Sequence, residues 1–326
     1  MRVALFLLGY AVVLAAVVGP LLRRASWVDR APRLAIASWQ ALTVTVLASV
    51  TMAGAAVTIT LPEVSGDLAA VLRACVMALR EQYASPGGAA VGATGAVLAL
   101  AVMGRAVWCI AAGLLRMVRE RARHRRVLDV VGHRVGDMVV LDCEESAVYC
   151  LSGRRRRTVV TTAALRSLDD GQLEAVLAHE RAHLRERHDL AIALSSALAV
   201  AFPAVKLFRV AASETARLVE LRADDAAAAR TDRLTVAGAL LNIVTGVTPH
   251  PVPEAALAAA GSGTAARVRR LLPPQRPLGR MRSLLASVAV AVLLALPILL
   301  LGGPAAAATQ QNLCPHTDTA GYSASR

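Results

Sequence analysis

The chain alternates between long apolar runs and stretches in which apolar residues recur every three or four positions. Residues 4–22 and 34–61 carry no charge, residues 89–115 are interrupted only by Arg105, and a fourth run covers 284–301. Each is near or above the ~18–20 residues that cross hydrocarbon as a helix. Transmembrane helices are therefore expected over about 4–22, 34–61, 89–115 and 283–302. Arg105 would be costly at mid-bilayer, so it is expected near the cytoplasmic end of its helix, its head group reaching outward. A signal peptide is the other reading of the first run. Arg23 and Arg24 follow it directly, and such a basic flank reads as an anchor.

Between the third and fourth runs the period becomes helical. In 172–190, Leu173, Val176 and Leu177 form an apolar stripe, and Asp169 and Asp170 stand where an N-cap belongs. Residues 213–230 and 234–247 read as further helices, the second ended by Pro249 and Pro251. Arg267 opens a short basic helical turn before Pro273. Residues 157–162 are short, β-branched and bounded by polar residues, which predicts a strand. The apolar stretch 190–205 is short for a span and reads as a buried helix or a re-entrant dip. In 67–83, Leu68, Val71, Leu72, Cys75, Val76 and Leu79 mark an amphipathic helix lying on the outer face.

Charge orients this layout. Arg23, Arg24, Arg30 and Arg33 oppose Asp29 after the first run. After the third, Arg116, Arg119, Arg121, Arg123, Arg125 and Arg126 oppose Glu120. The loop between the second and third runs is balanced. The positive-inside rule then places both termini outside and 116–282 in the cytoplasm. The fold class expected is a mainly α integral membrane protein with four transmembrane helices. A membrane domain fills 1–115 and a cytoplasmic domain with a small β-sheet fills 116–282. The fourth span follows over 283–302, then a short outer tail, 303–326.

Composition agrees: 56% of residues are hydrophobic and mean hydropathy is +0.53. The net charge of +13 invites a nucleic-acid reading, but many arginines flank apolar runs and aromatic content is 3%. That leaves few stacking platforms, and direct nucleic-acid binding is not expected. The arginine run 154–157 could steer an acidic substrate, meet anionic lipid or be a solvated loop. Cys75 and Cys314 are the two cysteines placed outside, where a disulfide could persist; a buried small residue and a free thiol are the plainer assignment.

The chemistry is concentrated at His179-Glu180-Arg181-Ala182-His183. Histidines at i and i+4 project from one helical face and can bind one Zn²⁺. Glu180 lies beside the open coordination position, where it can take a proton from water and return it to a leaving amine. Ala178 and Ala182 keep that face uncrowded. The candidate third ligand is Glu220 in the helix 213–230. Asp224, one turn later, is placed to accept a hydrogen bond from the distal N–H of a ligand histidine. One Zn²⁺ per chain is expected. The other histidines, His188 among them, show no ligand pattern.

The run Thr158 to Thr162, the stretch 168–183 with its H-E-x-x-H, and Glu220-x-x-Ala-Asp224 together resemble membrane-embedded gluzincin peptidases. The BlaR/MecR type is most similar, and the HtpX and CAAX prenyl protease type is a near relative. The resemblance implies zinc held by His179, His183 and Glu220, with Glu180 as base. It also implies an edge strand upstream of the zinc helix, on which the substrate backbone pairs through Val159, Val160 and Thr161. About two dozen residues follow Gly302 and contain no Ser-x-x-Lys, so direct β-lactam sensing is not expected. The function implied is a membrane-bound zinc metalloendopeptidase cutting a protein or peptide at the cytoplasmic face. Signalling through cleavage of a transcriptional repressor or of itself is one role. Quality control of membrane proteins is the alternative. An adaptor that keeps zinc for structure only is the reading of another class.

Overall fold

The computed structural model describes residues 2–58, 86–136, 138–151, 157–245, 261–273 and 278–311. The amphipathic segment 67–83, Cys75, Cys314 and residues 154–156 of the arginine run lie outside them. In chain order the elements are α1 (Arg2–Val13), a π-helical turn (Leu14–Val18), α2 (Gly19–Arg24), α3 (Pro32–Thr58) and α4 (Pro86–Val131). Then come β1 (His133–Val135), β2 (Met138–Leu141), β3 (Val148–Leu151), β4 (Arg157–Thr161), α5 (Thr162–Ser167), α6 (Asp170–Arg185), α7 (His188–Ala201) and α8 (Lys206–Ala228). The chain continues through α9 (Arg233–Thr245), α10 (Gly261–Leu271) and α11 (Arg280–Gln311). Among the described residues, four helical segments are long and apolar enough to cross a membrane: Val3–Arg24, Pro32–Thr58, Gly87–Val131 and Arg280–Pro297.

The arginine-rich segment 116–126 is helical and continues α4 to Val131. No Gly or Pro interrupts 114–131, so nothing stops the helix before Gly132.

The chain divides into two compact units. The first comprises Met1–Ala15, Val44–Gly104 and Ala291–Arg326. Within it α3 and α4 touch backbone to backbone at Gly54 and Gly95. A Cβ on Gly54 would lie 2.8 Å from the Gly95 carbonyl, so only glycine permits this crossing.

The second unit, Ala16–Thr43 with Arg105–Val290, holds the sheet and helices α5 to α10. Sheet order is β1-β2-β4-β3: β2 runs parallel to β4, and the other neighbours are antiparallel. This corrects one expectation. Residues 157–161 form a strand, β4, but it is interior. Val159 and Val160 are fully buried and Thr161 nearly so. Both sides of β4 are paired, so a substrate strand cannot add at Val159, Val160 or Thr161. The reason is that 138–141 and 148–151 supply a strand for each side, an order that local alternation does not encode. The open edges among the described residues are β1 and β3, and β3 packs on α6.

Helix α7 occupies 188–201, shorter than a span, and packs on α8. Arg105 is exposed, and its Nε donates to the carbonyl of Ala201 at the end of α7. Arg121 pairs with Asp189 at the start of α7, so the two helices run antiparallel.

Candidate functional site

The cap predicted for the H-E-x-x-H helix is in place. Asp169 accepts from the Gln172 backbone N–H at 2.8 Å, and the Gln172 side chain accepts from the Asp169 N–H, a reciprocal capping box. The helix ends at Arg185, short of the expected 190. Arg187 adopts a left-handed conformation (φ 52°) and redirects the chain into α7. Helices α6 and α8 meet through alanines. Ala182, Ala223 and Ala226 form a buried cluster of small side chains that lets the two axes approach closely. That approach carries Glu220 to the two histidines.

His179, His183 and Glu220 converge so that one ligand atom from each lies within 4.8 Å of the others. The two Nε2 atoms are 3.1 Å apart; Glu220 Oε2 lies 3.5 Å from that of His179 and Glu220 Oε1 lies 3.5 Å from that of His183. Two donors on a tetrahedral zinc at ~2.0–2.1 Å sit about 3.3 Å apart. The spacing and the donor set, two imidazoles and a carboxylate, therefore fit catalytic Zn²⁺ with an open fourth position.

Each histidine is oriented from behind. His179 Nδ1 lies 3.0 Å from Asp224 Oδ1, as the sequence suggested. His183 Nδ1 lies 3.1 Å from His188 Nδ1, and His188 Nε2 lies 3.6 Å from Glu186. Arg222 in turn holds Glu186 through two bonds of 2.6 and 2.9 Å. His188 is thus a buried partner of His183, a role that its i+5 offset hid.

Arg267 of α10 was also missed. Its Nε and Nη2 donate to the Asp224 carboxylate at 2.8 and 2.6 Å, and its Nη1 lies 2.9 Å from Glu220. It comes from a helix 43 residues further along the chain than Asp224, and no local spacing signals such a pairing. Glu180 lies beside the cluster on the same turn of α6. Its Oε2 accepts from the Cys150 N–H of β3 at 3.3 Å, so the sheet edge runs past the candidate base.

These contacts set the protonation states without metal. Burial alone lowers the pKa of His179, but its bonds to Asp224 and Glu220 outweigh that and hold it up at about 9. His183 is held down at about 4 by burial and by the charge on His179. Burial would raise Asp224, yet the bonds from Arg267 and His179 bring it to about 2. Burial raises Glu180.

A metal needs the neutral imidazole, so below about pH 9 binding displaces a proton from His179. Zinc affinity is expected to rise about tenfold per pH unit up to about 9. The stabilisation that His179 gives the metal-free protein is complete below its unfolded pKa of 6.5 and is lost as pH rises through about 9. Titration against a chromophoric chelator from pH 6.5 to 9.5 checks this, and an affinity already flat at pH 7 contradicts it.

Residues 137–274 match the family model described as Peptidase family M48. No curated protein and no solved structure matches the chain. The segment that matches contains β2 to α10 and every residue of the His179–His183–Glu220 cluster. It supports a metallopeptidase of the M48 family over 137–274.

Proposed function

We propose that the protein is a membrane-embedded zinc endopeptidase that cleaves a protein or peptide on the cytoplasmic side. The observation that carries this reading is the His179–His183–Glu220 cluster, with Glu180 beside it and an open sheet edge running past. Zn²⁺ held there supplies Lewis acidity toward a carbonyl oxygen and toward water. Glu180 takes the water proton and delivers it to the leaving nitrogen. Asp224 and His188 fix the rings of His179 and His183. The substrate backbone adds to β3, the edge that β4 does not offer. In β3 the outward groups belong to Val148 and Cys150, because the neighbouring Ala147 accepts from Thr161 of β4.

Zinc-loaded protein in detergent is expected to hydrolyse unfolded casein. A chelator should abolish this and added Zn²⁺ restore it; chelator-resistant hydrolysis overturns the metal role. Glu186, His188 and Arg222 lie behind the cluster rather than completing a fourth ligand, which favours catalysis over a zinc adaptor.

The arginine asymmetry supports a cytoplasmic site. Cys143 is exposed, so an impermeant thiol reagent is expected to label it in permeabilised cells and not in intact ones. Labelling of Cys143 in intact cells reverses the topology. The reading includes signalling through cleavage of a cytoplasmic repressor or self-cleavage. The match to family M48, to which the HtpX type belongs, favours quality control of membrane proteins as the second role.

A further inference from the structure

A cavity of about 490 Å³ adjoins Glu220 and is shared between α8 and α10. Arg217 and Glu220 line it from α8, Arg267 and Arg270 from α10, and Asp29 from the loop between the apolar segments Val3–Arg24 and Pro32–Thr58. Close packing therefore does not hold the Glu220 side chain on this side. Its carboxylate is 37% exposed, and Arg267 is what turns it toward the two histidines.

Helix α10 is anchored on its apolar face, where Val268 and Leu271 join a core cluster with Ala175 and Val236. Its close packing is on α9, and Arg233 of α9 donates to the carbonyls of Arg270 and Leu271 at its end. Along the cavity it meets α8 through arginine side chains instead.

Asp29 grips both helices. Its carboxylate accepts from Arg217 Nη1 at 2.7 Å, one turn before Glu220 on α8. Arg217 is braced by Glu214 of its own helix at 2.9 and 3.0 Å. The Asp29 carbonyl accepts from Arg270 Nη2 at 2.7 Å and Nε at 3.1 Å, one turn after Arg267 on α10. The same Arg270 bonds Asp225 of α8 at 2.8 and 2.9 Å. The loop is held by its own turns: Arg30 and Ala31 donate to the Trp27 carbonyl, and Val28, which is buried, donates to that of Ala25. It thus links α8 to α10 and brackets the Glu220–Arg267 pair. If the two helices part, Arg267 leaves with α10, and Glu220 has the cavity to turn into.

We infer that Asp29 is a positioning residue for the metal site. By fixing the spacing of α8 and α10 it keeps Arg267 on Glu220, and Glu220 toward the histidines. Loop 25–31 joins Arg24 to Pro32, the facing ends of the two apolar segments. A shift of those helices therefore reaches the third ligand through Asp29. This rests on the zinc-site reading above and adds a route by which the first two apolar helices set metal affinity.

The test uses full-length protein in detergent. Zinc affinity is read by chelator competition, and folding by thermal unfolding of the metal-free form. Asp29→Ala keeps the carbonyl that Arg270 holds and loses only the Arg217 pair. That pair is exposed, 57% for Asp29 and 40% for Arg217. It adds little to stability, so the melting temperature should stay within about three degrees of wild type. Zinc affinity should fall about two- to fivefold, the range that an exposed ion pair can supply. Arg217→Ala should do the same, and the double variant no more than either alone, because both cut one link. Asp29→Glu keeps a carboxylate for Arg217 and should restore most of the affinity. Arg270→Ala cuts the links to the loop carbonyl and to Asp225 together, and should cost about tenfold. Three results overturn the inference and leave the protease standing: wild-type affinity in Asp29→Ala and Arg270→Ala, losses that add in the double variant, or a loss in Asp29→Ala that comes with a large fall in melting temperature. A wild type that binds no zinc overturns both.

Discussion

Glu180→Gln is expected to lower casein hydrolysis by about 10²-fold or more while zinc content stays at the wild-type level. General-base catalysis is worth roughly 10²–10⁴ in rate. The amide has the same shape as the carboxylate, and its oxygen can still accept the Cys150 N–H that Glu180 holds now. Local structure is therefore kept and only the proton acceptor is lost. Glu180 is not among the three converging ligand groups, so metal binding has no reason to change. Hydrolysis rate and metal analysis on the same preparation decide the matter. Near-normal turnover in the variant removes Glu180 as the base, and a parallel loss of zinc shows a structural effect instead.

What could be read from the chain alone was what depends on short spacings. His179 and His183 share a face because they are one turn apart, and Glu220 and Asp224 likewise. The Asp169 cap preceded its helix by a single residue. What could not be read was set by partners distant in sequence. Arg267 looked like one more charge in a basic turn, since nothing between 224 and 267 indicates that α10 returns to α8. A helix continued through Arg187 would carry His188, five residues past His183, off the metal face. In fact the chain turns there and brings His188 behind His183. The strand at 157–161 was visible from its β-branched residues, but its place in the sheet was not. Strand order depends on which segments pair, and here β2 and β3 enclose β4. The edge strand next to Glu180 is β3, whose Cys150 N–H the carboxylate accepts, and the proposed substrate pairing uses that edge.

Arg267→Ala is expected to destabilise the metal-free protein on the order of 3–5 kcal/mol and to weaken zinc binding. Asp224 is fully buried and Arg267 largely so, and their carboxylate and guanidinium face each other through two short bonds. Removing the cation leaves a buried carboxylate short of its partner, with Glu220 near it on the same helix, which is the costly way to break such a pair. For a unit of this size the melting temperature should fall on the order of ten degrees. Zinc affinity should drop about 10–100-fold, the usual effect of losing a group that orients a ligand, because Nη1 no longer holds Glu220 toward the two histidines. Loss of the positive charge acts the other way and favours Zn²⁺, but Arg267 is already neutralised by two carboxylates, so orientation wins. Arg267→Lys separates the two effects. A lysine restores charge beside Asp224 and should recover much of the melting temperature. Its single ammonium cannot hold Asp224 and Glu220 in one fixed fork, so zinc affinity should stay below wild type. Thermal unfolding of the metal-free proteins and chelator competition measure the two quantities independently. If Arg267→Ala leaves both unchanged, the arginine is not what positions Glu220.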